Sequence, residues 1–212
     1  LAASGMKVTY NCAARAEHLD SEMLRAMKQS GCWMISLGIE TGDPELLKQH
    51  RSFADLEMIR EKVQLIKKAG IRVKGLFMLG LPGETEESID RSIDYVLSLP
   101  LDEFNLAKFT PFVGSPSYRT IHEHGAFEEN WDLMNCLNYV FVPNGFTAER
   151  LEERHHPAIH PAQGGTGPQH QRGIVAPAGT GDDEARNVPE RGNGVVVVEM
   201  TAETALVAET GD

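Results

Sequence analysis

Four places in the first two thirds of the chain carry groups suited to gripping a small polar ligand, and each follows an apolar run. "WMISLGIE" (33–40) ends on Glu40, a carboxylate able to accept hydrogen bonds from hydroxyls or an ammonium group. "GLFMLGLPGE" (75–84) breaks at Gly80, Pro82 and Gly83, where backbone can approach a flat ring with no Cβ in the way. "FNLAKFTPFVGSP" (104–116) breaks in the same manner at Pro111 and Gly114. "KVTYNC" (7–12) is followed by Arg15, whose guanidinium can pair with a carboxylate. Taken singly, each has an ordinary explanation: a helix-dipole partner, a tight turn, a solvated charge. An acceptor, bare backbone and a cation recurring after successive apolar runs describe a pocket better than four unrelated turns.

The elements between these places must bring them together. "DSEMLRAMKQSG" (20–31) reads as a helix capped by Asp20 or Ser21, with Met23, Leu24 and Met27 apolar and Gly31 as its stop. "DPELLKQH" (43–50) has Asp43 at the cap and Pro44 at the first helical position. "DLEMIREKVQLIKKAG" (55–70) and "ETEESIDRSIDYVLSL" (84–99) show helical spacing of apolar residues. With strands at 7–12, 33–39, 72–79 and 104–110, the order is β-α-β-α-β-α-β, which predicts parallel strands joined by helical crossovers. Ligands of such folds gather at the carboxyl ends of the strands, where the four places lie. No GxGxxG follows the first strand and no phosphate loop appears, so a barrel wall is favoured over a doubly wound sheet. A phosphate-binding barrel has only the faint string "FVGSPSYRT" in its favour.

The balance of 20 Lys+Arg against 31 Asp+Glu gives a formal net charge of -11, which argues against nucleic acid held by bulk electrostatics. No apolar run is long enough to span a membrane, and no basic segment with an apolar core marks a secretory signal. Cys12, Cys32 and Cys136 show no CxxC spacing, fit a reducing cytoplasm, and read as small buried hydrophobes rather than metal ligands. From 151 to 212 there is no Phe, Tyr, Trp or Lys. Two units are therefore expected, 1–150 as the patterned domain and 151–212 as a low-complexity tail, disordered or translated in a shifted frame. Within that tail His155, His156 and His160 read as composition rather than a metal tract, and "GVVVVEM" (194–200) as a strand with nothing built to pack on it.

Residues 1–150 resemble the radical S-adenosylmethionine (radical SAM) enzymes over the C-terminal part of their core barrel. The strings that carry the resemblance are "ARAEHLDSEMLRAMKQSGC" (14–32), "GIETGDPELLK" (38–48), "GLPGET" (80–85) and "FTPFVGSPSY" (109–118). They look most like the branch with an N-terminal cobalamin-binding domain. The resemblance implies an α/β fold, a partial parallel TIM-like barrel truncated on its N-terminal side. It implies that Glu40 faces the ribose and amino-acid part of S-adenosylmethionine and that Arg51 stands near the methionine carboxylate. Gly80 would lie beside the adenine, Phe112 and Pro111 near the same ring, and Arg15 would add a further contact; no catalytic side chain is implied. Val113 departs from the family's usual Pro. The [4Fe–4S] cluster's CxxxCxxC string and the motif for the cofactor's amino group are both missing, so the chain reads as a fragment, as does its start at "LAASGMK". The implied activity of the intact enzyme is cleavage of S-adenosylmethionine to a 5′-deoxyadenosyl radical that takes hydrogen from a small organic substrate. Flavodoxin or ferredoxin would be the reductant, and cobalamin a further cofactor. A methylthiotransferase-type fragment and a non-catalytic half-barrel binding module are the alternatives.

Overall fold

The computed structural model describes residues 8–51, 54–159, 172–173 and 197–198. Strands β1 (Thr9–Arg15), β2 (Cys32–Glu40), β3 (Arg72–Leu79) and β4 (Glu103–Lys108) lie in the order β4-β3-β2-β1, and every neighbouring pair is parallel. Each strand therefore pairs with its predecessor, the progression of a barrel wall; a doubly wound sheet would reverse at a switch point. The expected partial parallel α/β barrel is the observed architecture, and no closed barrel forms among the described residues.

Alternation along the strands decides which groups meet. Ile35, Leu37, Ile39, Val73 and Phe77 are fully buried against Leu24 of α1 (Ser21–Gln29), Ile59, Val63 and Ile66 of α3 (Leu56–Lys68) and Val96 of α4 (Glu86–Ser98). The alternate residues Ser36, Gly38 and Glu40 of β2, with Lys74, Leu76 and Met78 of β3, are only partly buried. They face away from the helices, so Glu40 belongs to the face that would line a barrel.

Caps start the helices where the sequence places them. Asp20 accepts from the Met23 N–H at 2.8 Å, Asp43 from the Leu46 N–H at 2.7 Å at the head of α2 (Pro44–His50), and Asp55 from the Met58 N–H at 2.7 Å. Three details differ from the sequence reading. β1 runs on to Arg15, three residues beyond Cys12, so Arg15 is the strand's last residue and not a loop residue beyond it. α4 begins at Glu86 because Thr85 takes the cap in a capping box with Ser88, leaving Glu84 in the preceding turn. Met23 and Leu97, expected on apolar stripes, are exposed, while Leu24 and Val96 beside them face the core.

Beyond β4, α5 (Pro116–His124) leads into a short antiparallel hairpin of β5 (Gly125–Phe127) and β6 (Phe141–Pro143), which the sequence reading did not foresee. Phe109, Ile121 and Phe141 pack with Leu46 and Leu81 in a second core. The boundary expected at 150 falls inside α6 (Ala148–Ile159), whose Leu151 is fully buried against Leu79 and Ile89. His155 of the histidine tract is buried, with Nε2 3.1 Å from the Leu106 carbonyl. Two-residue pairings add β7 (Arg172–Gly173) beside β4 and β8 (Val197–Val198) beside β1. His160 and the rest of the tail expected to be disordered or frame-shifted lie outside the described residues.

Candidate functional site

The carboxyl end of β2 is bent sharply. Glu40 has φ +70, and the Thr41 N–H donates to the Ile39 carbonyl at 2.9 Å across it. That is the rare left-handed γ-turn, and a non-glycine residue held there costs of order 1–3 kcal/mol. The side chain folds back over Gly38: a Cβ built on Gly38 would lie 2.8 Å from Glu40 Oε1 and 3.7 Å from Arg51 Nη1. Gly38 is thus the open floor that lets carboxylate and guanidinium share one place.

Arg51 follows α2 as its C-terminal cap, and its side chain is 7% exposed. Nη1 donates to the Gly38 carbonyl at 2.6 Å, and Nη2 forks onto both carboxylate oxygens of Glu17 at 2.7 and 2.8 Å. Glu17 comes from the single 3-10 turn Ala16–His18 directly after β1, and Arg15 Nε stands 4.0 Å from it. Burial raises the Glu17 carboxyl, but its own backbone N–H, the Arg51 fork and Arg15 outweigh it and hold it below the ordinary range. Burial pushes the Glu40 carboxyl up, with Arg51 and Arg15 pulling it partway back. Arg51 Nε is buried and meets no acceptor among the described residues, a donor left over for a water or a ligand oxygen.

The corner after β3 is built differently. Gly80 and Gly83 have φ +84 and +85, conformations open to glycine, and a Cβ on Gly80 would lie 3.4 Å from the Tyr139 ring. Glu84, 3% exposed, accepts from the Gly80 and Leu81 N–H groups with one oxygen; the other is buried and has no partner among the described residues. Burial raises its carboxyl to about 7, against the pull of those two N–H groups and with a push from Asp43. The Tyr139 hydroxyl donates to the Leu151 carbonyl at 3.2 Å, and Lys108 Nζ lies 4.6 Å from that ring's centre. His50 Nε2 sits 3.2 Å from the Pro82 carbonyl. After β4, the Phe109 N–H pairs with the Leu79 carbonyl at 2.8 Å and Phe112 is exposed.

Of the residues singled out by sequence, Arg15, Glu40 and Arg51 come together at the ends of β1 and β2. Gly80 stands at the end of the next strand, its N–H already taken by Glu84 and its missing Cβ replaced by Tyr139. Phe112 stands apart on the loop after β4. Glu17 and Tyr139 were not singled out because their partners lie 34 and 12 residues along the chain; Glu84 binds N–H groups only three and four residues before it, but its position reads as the start of an acidic helix.

Residues 2–96 match the family described as the Radical SAM superfamily. Over that stretch, just under half of its length, the chain is similar to the radical SAM superfamily. Among curated proteins the chain is similar to an uncharacterized methyltransferase of Pyrococcus horikoshii, 24% identical over 150 residues, 70% of this chain and 33% of the relative. It is also similar to the ribosomal protein uS12 methylthiotransferase of Heliobacterium modesticaldum, 26% identical over 104 residues, 47% of this chain and 23% of the relative. The chain thus spans between 23% and 33% of these relatives' length. In fold it is similar to the archaeal Elp3 of Methanocaldococcus infernus with an N-terminal deletion: TM-score 0.60, 18% identity, 79% of this chain and 35% of that one.

The cofactors of the superfamily meet this chain unequally. The charged corner offers S-adenosylmethionine an acceptor, Glu40, two cations, Arg51 and Arg15, whose charges act on that carboxyl, and the Arg51 Nε donor that meets no acceptor among the described residues. The cysteines do not suit an iron–sulfur cluster. Cys32 is the first residue of β2, while the Cys136 carbonyl accepts from the N–H of Lys108, the last residue of β4. The pairing registers put at least seven residue steps between those levels, roughly 20 Å at the rise of a strand.

Proposed function

We propose that this chain supplies the rear wall of an S-adenosylmethionine pocket in a radical SAM enzyme acting on a small organic molecule. The observation that carries the reading is the convergence of Glu40, Arg51, Glu17 and Arg15 at the carboxyl ends of β1 and β2, on the face turned from the helices. S-adenosylmethionine, once reduced, supplies the 5′-deoxyadenosyl radical that takes hydrogen from a substrate carbon. The chain's own residues bind and orient. Glu40 accepts from ribose hydroxyls or the ammonium group. Arg51, anchored by Glu17, directs its spare Nε toward a carboxylate oxygen, and Arg15 at the half-open rim adds a second cation. Gly80 and the corner after β3, kept rigid by Glu84 and Tyr139, would lie beside the adenine, and Phe112 would have to reach it from the loop after β4.

In the whole protein, a one-electron reductant such as flavodoxin or ferredoxin and a cluster held outside this chain complete the machinery. The cobalamin assignment rests on the likeness of residues 1–150 to the branch that carries that domain, and the methyltransferase and methylthiotransferase relatives support transfer of a one-carbon or methylthio group. Equilibrium dialysis with radiolabelled S-adenosylmethionine tests the reading. The chain is expected to bind weakly, and Glu40→Ala to weaken binding about tenfold or more, the worth of a charge-assisted hydrogen bond. Equal binding by both would refute the role given to Glu40. Anaerobic reconstitution with iron and sulfide is expected to leave the chain without a stoichiometric cluster.

A further inference from the structure

We propose that Ser92, on the middle of α4, is a positioning residue for Glu40: it holds the left-handed turn at the end of β2 and so aims the carboxylate at Gly38 and Arg51. The inference rests on the pocket reading above, which assigns Glu40 its ligand, but its structural part can be tested apart from any ligand.

The turn at Glu40 is bracketed on both sides. Before it, Ile39 is buried in the main core at the irregular step of the ladder, where the register passes from Gly38–Leu76 to Glu40–Phe77. After it, three successive residues are tied to one place on α4. Thr41 is fully buried, its Oγ1 3.0 Å from Ser92 Oγ. The Gly42 N–H donates to the same Ser92 Oγ at 2.9 Å, and the Asp43 N–H donates to Thr41 Oγ1 at 3.1 Å. The other Asp43 oxygen pairs with Arg91, the helix neighbour of Ser92. Gly42 lies flat on the helix: a Cβ there would meet Tyr95 Cβ at 2.5 Å, Ser92 Cα at 2.8 Å and the Arg91 carbonyl at 3.0 Å. One hydroxyl therefore serves two of the three residues that follow the strained one. Without it, the Gly42 N–H is buried with no acceptor, and Thr41 loses the partner that fixes its rotamer.

The position of α4 gives this contact its reach. The helix starts from the Thr85 cap, immediately after the Gly80–Glu84 corner, so the same rigid element carries both corners. Ser92, two turns along, sets how far β2's end stands from that corner. A loop released from Ser92 relaxes toward an ordinary extended conformation at Glu40, which turns the side chain away from Gly38.

The test is a heteronuclear NMR comparison of the labelled chain with Ser92→Ala, using Ile59→Val, a change in the α3 core, as a stability control. Backbone carbon shifts report the left-handed conformation of Glu40. Its side-chain carboxyl carbon reports a titration set by burial, by Arg51 and Arg15, and by Glu17 through Arg51. Ser92→Ala is expected to abolish the left-handed signature and move the titration toward the ordinary carboxylate range. In dialysis it is expected to weaken S-adenosylmethionine binding about tenfold. Ile59→Val should lower the melting temperature and leave all three unchanged. A Ser92→Ala chain that keeps the Glu40 signature and titration while melting lower overturns the proposal, since Ser92 would then only stabilise. If Ser92→Ala does not fold, Thr41→Val removes the other half of the hydroxyl pair and carries the same expectation and the same contrary result. If the unaltered chain binds no S-adenosylmethionine but Ser92→Ala still loses the signature, the pocket reading fails and the positioning role stands.

Discussion

Glu40 and Glu84 both stand at the carboxyl end of a parallel strand, and their surroundings differ in each respect that bears on charge. Glu40 is partly open, shares its place with two arginines, and sits on a strained backbone. Glu84 is sealed, faces no cation, and folds onto the backbone N–H groups of its own turn. On the proposed reading, the first arrangement offers a polar ligand a carboxylate and two cations to exchange with. The second spends a carboxyl on holding two glycine-flanked N–H groups still. On the proposed reading, adjacent strand ends in one sheet divide the work: one grips, the other stays rigid.

If the division is right, the rigid corner should depend on what seals it. Leu151→Ala removes a fully buried side chain from the contact with Leu79 and Ile89 and should cost about 2–5 kcal/mol in thermal or denaturant unfolding. A cost near zero would detach α6 from the corner. At the gripping corner, Glu17→Ala strands the nearly buried Arg51 guanidinium and should cost about 2–4 kcal/mol. Glu17→Ala combined with Arg51→Met should cost less than the sum of the two, a coupling that a double-mutant cycle reads directly.

The two glutamates also separate by pH. The Glu84 carboxyl stands at about 7 in the fold against 4.5 ordinarily. The folded chain therefore binds more protons than the unfolded one between those values, so the Glu84 contribution is best below about 4.5 and declines as pH rises to 7. The decline is on the order of 2–3 kcal/mol, and Glu84→Gln should flatten it; an unchanged profile would contradict the sealed, cation-free account. The smallest effect belongs to Arg15, whose side chain is 52% exposed: Arg15→Ala should change stability by less than about 0.5 kcal/mol, in contrast to Arg51 at the same corner.

Much of the wall was legible because its signals are local. Alternation and glycine stops mark β2 and β3, and Asp20, Asp43 and Asp55 mark the helix starts. The end of β1 was not, since Ala13 and Ala14 carry little strand preference and only pairing with Ser36 and Leu37 extends the strand to Arg15. Glu84 looked like the first residue of an acidic helix; it is buried instead because its carboxylate turns back onto the Gly80 and Leu81 N–H groups, a fold of the turn that helical spacing does not announce. The same holds for Glu17, whose partner lies 34 residues on. α6 was hidden by averaging: composition over 151–212 is poor in core formers, yet Leu151 is buried and polar partners such as Glu86, Asp90 and Lys108 hold the helix's exposed side.

The central claim is that the gripping corner and the rigid corner face one ligand. Titrating the isotope-labelled chain with S-adenosylmethionine while following backbone amide shifts tests it most directly. The account predicts saturable shifts at Gly38–Gly42, Arg51 and Gly80–Gly83 with a single midpoint, and none along α1 or α3. Shifts confined to one corner, different midpoints at the two, or no saturable change at either would contradict it.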